Sequence, residues 1–390
     1  MAVNTNSRLL RAVLFLTVPV VSTGCTLLPF GGWPTGDSTG ETALGGTVNV
    51  YRAVFHCHSH LSHDSDGSIE EIAAAARSLK IHVVFLTDHY SPGNIAKSPR
   101  GLIDGVLFIP GVEFHWGDPH GSLLAIGVRE DFEPNQPRDR IVLEMQRQGA
   151  LLVAGHVEEM DQNHDFSPYD GFELYNFHAQ FKSASKFALA LRFLFYPPDP
   201  FFQAMIEEPR EHVDRWARLA LSGRKLAPLV GHDAHANVRV FGPLGGTIGT
   251  YPELFRLFST RILATELTEE AILAGLRGGR SYVVFDAVWP NSFRFEYWRR
   301  EADADIVASI GDTARYAEGS RMQVAMADDG EIQVFRDGTE IHRQKAREFE
   351  FEPPGPGAYR VEVWNRGKLW VVSAPIYLTA SPTDQPLPRS

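Results

Sequence analysis

From about residue 48 the chain alternates short apolar runs with amphipathic stretches, the pattern of strands and helices laid around a parallel sheet. NVYRAVFHCH, HVVFLT, VLFIPGVEF, SLLAIGV, ALLVAGH, FELYN and KLAPLVGHDAH read as successive strands. Between the first two, Ser68 and Glu71 have capping-box spacing, and Ile69, Ile72, Ala73, Ala76 and Leu79 recur at helical intervals, which predicts a helix to about Leu79. IVLEMQRQG is the next helix, and a helix-rich insertion occupies about 181–222. In nearly every unit a His, Asp or Glu closes the strand, and in a β/α barrel strand C-termini share one mouth. After Asp286 the texture changes to Asp-Gly turns between alternating apolar residues, as in EIQVFRDGTEIH, GAYRVEVW and LWVVSAPIYL. That pattern predicts an accessory all-β sandwich over 288–382, followed by a short tail, 383–390.

Length and composition fit this division: 390 residues, 44% of them hydrophobic, suffice for one large core and a smaller one. A formal charge of -11 and the lack of any basic run argue against nucleic acid as a partner. At the N-terminus, Arg8 and Arg11 precede an apolar run, Ala12 to Val21, too short for a spanning helix. The run leads through small residues into Cys25, and so resembles the signal peptide and lipobox of bacterial lipoproteins. The resemblance implies a signal peptide over 1–24, lipidation of Cys25 and anchoring on the periplasmic face of the outer membrane, with Thr26 compatible with that sorting. An ordinary signal peptide or uncleaved anchor is the alternative, and either one exports the protein. Residues 25–47, rich in Gly, Pro and Thr, read as a tether. Cys57 is the other cysteine, so a lipidated Cys25 leaves no internal disulfide.

Chemistry concentrates in FHCHSHLSHDSDG, residues 55–67. His56 and His58, two apart on a strand, face one side and can share a cation while Cys57 points away. Thr87-Asp88-His89, Gly111-Val112-Glu113 and Gly231-His232-Asp233-Ala234-His235 add ligand-type groups at other strand ends, more than one metal needs.

With these motifs, residues 50–285 resemble the PHP family, the polymerase and histidinol phosphatase metal-dependent phosphoesterases. The resemblance implies a distorted (β/α)7 barrel over 48–287, with up to three metals at the strand C-termini. By the family pattern, His56, His58, Glu113 and Asp233 hold one ion, Glu113, His120 and His156 a second, and Asp64, His89 and His235 a third. Asp66 competes with Asp64 for its place, and Asp64 is preferred. Gly155-His156-Val157 departs from the family's AHP motif, and His232 stands where serine is common. His232 and His178 are candidate substrate contacts, as is His115, while His60 and His63 read as supporting or solvated.

The cofactors implied are two to three divalent ions, Zn, Mn or Fe. The chemistry implied is ester hydrolysis by a hydroxide held between bridged cations, with Glu113, Asp233 and His156 as the catalytic set. The expected substrate is a small phosphoester. GGRSYV, GAYRVEVW and SAPIYL resemble the exported branch that includes carbaryl hydrolase, which makes a carbamate or carboxylic ester the alternative. A non-catalytic surface-binding lipoprotein is a second alternative, and oligomeric state is not readable from the chain.

Overall fold

Seven strands close into a barrel: β1 (Val48–Cys57), β2 (Val83–Leu86), β3 (Val106–Gly117), β4 (His120–Ile126), β5 (Leu151–Met160), β6 (Gly171–Asn176) and β7 (Ala227–Ala234). Each pairs with the next, and β7 returns to β1. In this computed structural model the described residues are 41–43, 48–179, 206–235, 238–239, 247–288, 292–299 and 305–380. The signal peptide, Cys25, most of the tether, the first part of the insertion and the tail lie outside them.

Five of the seven pairings are parallel, and β4 runs antiparallel to both β3 and β5. Only residues 118–119 separate β3 from β4, too few for a crossover, so these strands form a hairpin. The helices among the described residues include α1 (Ile69–Ser78), α2 (Arg138–Arg147), α3 (Arg210–Leu221), α4 (Tyr251–Phe255) and α5 (Glu269–Arg277). A helical turn, Asn94–Lys97, stands between β2 and β3, and no helix separates β5 from β6. Of the expected distorted (β/α)7 barrel, the described residues show a closed seven-strand barrel with an irregular helical layer. Where the amphipathic signal was strongest the expectation holds: Ser68 Oγ accepts the Glu71 N–H at 3.2 Å, and Glu71 Oε2 accepts the Ser68 N–H at 2.9 Å.

Alternate strand residues fill the barrel. Ala53 and Phe55, Val83 and Phe85, Leu107 and Ile109, Leu124 and Ile126, Leu151 and Val153, and Ala227 and Leu229 form one buried cluster, against which α5 packs Ile272, Leu273 and Leu276.

Beyond the barrel come β8 (Ser259–Ala264), antiparallel to β1, and β9 (Ser281–Val284), antiparallel to β8. The C-terminal region is all β: β10 (Phe293–Arg299), β11 (Asp305–Ser309), β12 (Thr313–Arg315), β13 (Arg321–Arg336), β14 (Thr339–Phe351), β15 (Gly357–Asn365), β16 (Lys368–Ser373) and β17 (Ile376–Thr379). The predicted Asp-Gly hairpin joins β13 to β14, and Asp337 (φ 49°) and Gly338 (φ 82°) supply the two left-handed residues that such a turn requires. These strands continue the barrel's hydrogen bonding, since β16 pairs with β9. Arg210 of α3 also reaches Glu362 of β15, with Nη2 at 2.8 Å from Oε2. No helix among the described residues is long and apolar enough to cross a membrane.

Candidate metal centre

The barrel's alternation delivers part of the site directly. Following the inward-facing parity along β3, β4, β6 and β7 leads to Glu113, Ser122, Glu173 and Asp233. On β1 and β5 the same parity misses His56 and His156. Both residues take left-handed backbone conformations, φ 58° and 47°, and Asp233 does the same at 49°. The β1 ladders shift register between Val54 and Cys57, an irregularity that re-aims side chains at a barrel rim. Cys57 turns into the core.

The ligand atoms converge closely. His56 Nε2 lies 3.3 Å from Glu113 Oε2 and 3.5 Å from Asp233 Oδ1. His58 Nε2 lies 3.3 Å from each of the same two oxygens. Ligands arranged tetrahedrally at about 2.0–2.1 Å from an ion stand about 3.3–3.4 Å apart, and these four nitrogen–oxygen distances are close to that spacing. His56 Nε2 and His58 Nε2 are buried without a hydrogen bond, which a cation between the groups would remedy. The donor set therefore fits a metal.

The carboxylates divide their oxygens. Glu113 Oε1 and Asp233 Oδ2 turn to His156 Nε2, at 3.5 and 3.4 Å. A third set joins Asp64 Oδ2 to His89 Nε2 and His235 Nε2, each at 3.2 Å. Asp64, and not the exposed Asp66, thus faces this set. On their far sides the imidazoles are held by hydrogen bonds, the usual support for metal-binding histidines. His56 Nδ1 donates to Glu173 Oε1 at 2.7 Å, and His156 Nδ1 to Glu158 Oε1 at 3.0 Å. His58 Nδ1 lies 3.1 Å from Ser62 Oγ, and His235 Nδ1 donates to the Asp233 carbonyl at 2.8 Å. Asp88 anchors the first loop by accepting from the Ser59 N–H at 2.6 Å.

His120 is not brought to the cluster. It stands exposed at the first position of β4 and belongs to none of the metal-type groups among the described residues. The register breaks between His120 and Ser122, where Gly121 has φ 59°. Ser122, not His120, consequently faces the site and donates to Glu113 Oε1 at 2.7 Å. His115 Nδ1 lies 2.8 Å from the same hydroxyl, and its ring is 5.0 Å from that of His156.

His232 is likewise no substrate contact. Fully buried, its ring nitrogens face the carbonyls of Phe55 and Phe258 at 3.2 and 3.0 Å. Burial lowers its pKa to about 4, so it is a neutral packing residue. His178 does lie beside the cluster, its ring 5.0 Å from that of His235.

Burial alone would lower the pKa of each central histidine, but the carboxylates prevail. The nearby carboxylates Asp233 and Glu113 raise His58 to about 9, Asp233 and Glu158 raise His156 to about 12, and Asp233, Glu113 and Glu173 hold His56 well above its ordinary value. Glu113 and Asp233 shift downward in turn: burial opposes the shift, and the imidazoles win. An ion entering this cluster must displace protons. At pH 7.5, cation binding should therefore release at least one proton per chain, and affinity should still be rising as pH passes through about 9. Calorimetry in buffers of different ionisation enthalpy measures this, and a buffer-independent heat would contradict it.

No protein-family model matches the chain, and no curated protein matches it. Among solved structures it is similar to a two-domain protein from Bacteroides vulgatus ATCC 8482 that contains a predicted PHP-like metal-dependent phosphoesterase. The overlap covers 88% of this chain and 100% of that one, at 14% identity and a TM-score of 0.41, too loose to decide fold or function.

Proposed function

We propose that the protein is a metal-dependent hydrolase of small phosphoesters. The observation that carries the reading is the division of Glu113 and Asp233 between two sets of histidines, which suits adjacent cations. His56, His58, Glu113 and Asp233 would hold one ion, His156 with the remaining oxygens of Glu113 and Asp233 a second, and Asp64, His89 and His235 a third. Ions bound there would make a water more acidic and offset the negative charge that develops on a phosphoryl group. The mixture of imidazole and carboxylate suits Zn, Mn or Fe.

The chain's own residues supply positioning. Ser122 orients Glu113, Glu158 fixes the ring of His156, and Asp88 holds the loop that carries Asp64. His115 and His178, each beside one of the cluster's imidazoles, are placed to contact a substrate. Assay of metal-supplemented protein on a phosphomonoester, a phosphodiester and an aryl carbamate tests the proposal. Phosphoester turnover abolished by chelation supports it, whereas turnover of the carbamate alone moves the activity to carbamate or carboxylic esters. Inactivity on all three leaves a binding protein.

The location proposed is the periplasmic face of the outer membrane, through a lipid on Cys25. Cys25→Ala should release the protein from membranes, and unchanged membrane association of the variant would sink this part of the reading.

A further inference from the structure

Glu173 was not distinguishable from its neighbours in FELYN, yet it occupies a central position beneath the site. It is 1% exposed, and its oxygens have separate partners. Oε1 accepts the Nδ1–H of His56 at 2.7 Å, while Oε2 accepts the backbone N–H of His156 at 2.8 Å and the side-chain N–H of Asn176 at 3.3 Å. Its carboxylate also fills the space over Gly231: a Cβ there would fall 1.7 Å from Oε1, so a larger residue at 231 would displace the Glu173 carboxylate.

These contacts coincide with the left-handed strand ends. His56 and His156 hold a conformation that L residues rarely adopt and that persists only where the surroundings enforce it. Glu173 bonds the side chain of one and the backbone of the other, and the absent side chain at Gly231 lets it approach the strand that leads to Asp233.

We infer that Glu173 is a positioning residue that keeps the His56 proton on Nδ1 and ties the strand ends of His56 and His156 into one cation-ready geometry. The inference rests on the metal-hydrolase reading. An imidazole that ligates through Nε2 must carry its proton on Nδ1, and an ionised carboxylate, which can only accept, enforces that tautomer. Glutamine of the same shape cannot, because Glu173 faces donors on both sides and an amide offers one acceptor and one donor. With its NH2 toward His56, the imidazole proton moves to Nε2 and removes the lone pair from the cluster. With its NH2 toward His156, the backbone N–H of a left-handed residue loses its partner.

Full-length Glu173→Gln, Glu173→Asp and wild type should be titrated with Co2+ against a competing chelator, with the visible ligand-field bands and circular dichroism recorded. The expected result for Glu173→Gln is Co2+ affinity weaker by about 10- to 100-fold with altered bands, while circular dichroism matches wild type. Glu173→Asp, still acceptor-only though shorter, should recover part of the affinity and the wild-type band pattern. If glutamine prevents folding, the aspartate variant decides: bands and affinity less perturbed than those of Glu173→Ala support the role, and equality with alanine overturns it. A folded Glu173→Gln that binds Co2+ with wild-type affinity and bands overturns the inference alone. Wild type that binds no Co2+ overturns the metal reading and this inference together.

Discussion

Glu113→Ala is expected to lose more than one bound cation per chain and to lower ester hydrolysis by about 10³-fold or more, while keeping the wild-type circular-dichroism spectrum. The size of the effect follows from the divided carboxylate. Oε2 stands 3.3 Å from both His56 Nε2 and His58 Nε2, and Oε1 stands 3.5 Å from His156 Nε2, so one deletion opens two sets. The fold should survive, because removing a buried acid from among imidazoles lets them titrate to neutrality instead of leaving a fixed charge. Elemental analysis and phosphoester turnover of purified variant and wild type provide the check. Equal metal content in the two proteins would remove Glu113 from the centre.

A stability effect of comparable importance is expected away from the site. Asp286→Ala should destabilise the protein by about 3–5 kcal/mol, because it removes the buried carboxylate that offsets the charge of two arginines. Asp286 is buried and accepts from Arg52 Nη2 at 3.1 Å, Arg261 Nη2 at 3.0 Å and Ser259 Oγ at 2.6 Å. The network joins β1 and β8 next to the point where Phe285 N–H bonds the Trp370 carbonyl at 2.8 Å, so barrel and C-terminal strands should loosen together. Burial raises the pKa of Asp286, and the two arginines more than offset it, leaving the value below the ordinary one. A depressed folded pKa gives stability that is present above about pH 4 and lost as pH falls further. Urea unfolding at pH 7 and across the acid range, on wild type and variant, measures both effects. A variant within about 0.5 kcal/mol of wild type at pH 7 would show that the network is not needed.

Much of the site could be read before the structure because ligand-type side chains interrupt apolar runs. His56, His58, Glu113, His156 and Asp233 each close such a run, and the structure gathers them. Direction and register were less accessible. SLLAIGV has the same apolar pattern whichever way it runs, and only the short link at 118–119 betrays the hairpin. The irregularity at Gly121 moves His120 out to solvent and Ser122 in, and nothing in the local composition marks that break. His232 could have been placed away from the site: it alternates with Asp233 in the period of two, and a strand does not turn both to the same side. Glu173 hid because a lone acid inside an apolar strand has no motif of its own. Its meaning came from His56, His156 and Gly231, residues distant in sequence that only the closed barrel brings together.

The cage formed by His56, His58, Glu113 and Asp233 can be tested by locating an ion in it. Crystals of wild-type protein grown with Zn2+ or Mn2+, and diffraction data collected on either side of that metal's absorption edge, should show an anomalous peak between His56 Nε2, His58 Nε2, Glu113 Oε2 and Asp233 Oδ1, with further peaks beside His156 or among Asp64, His89 and His235. Metal-replete crystals without a peak among those four atoms would contradict the metal centre and the hydrolase built on it.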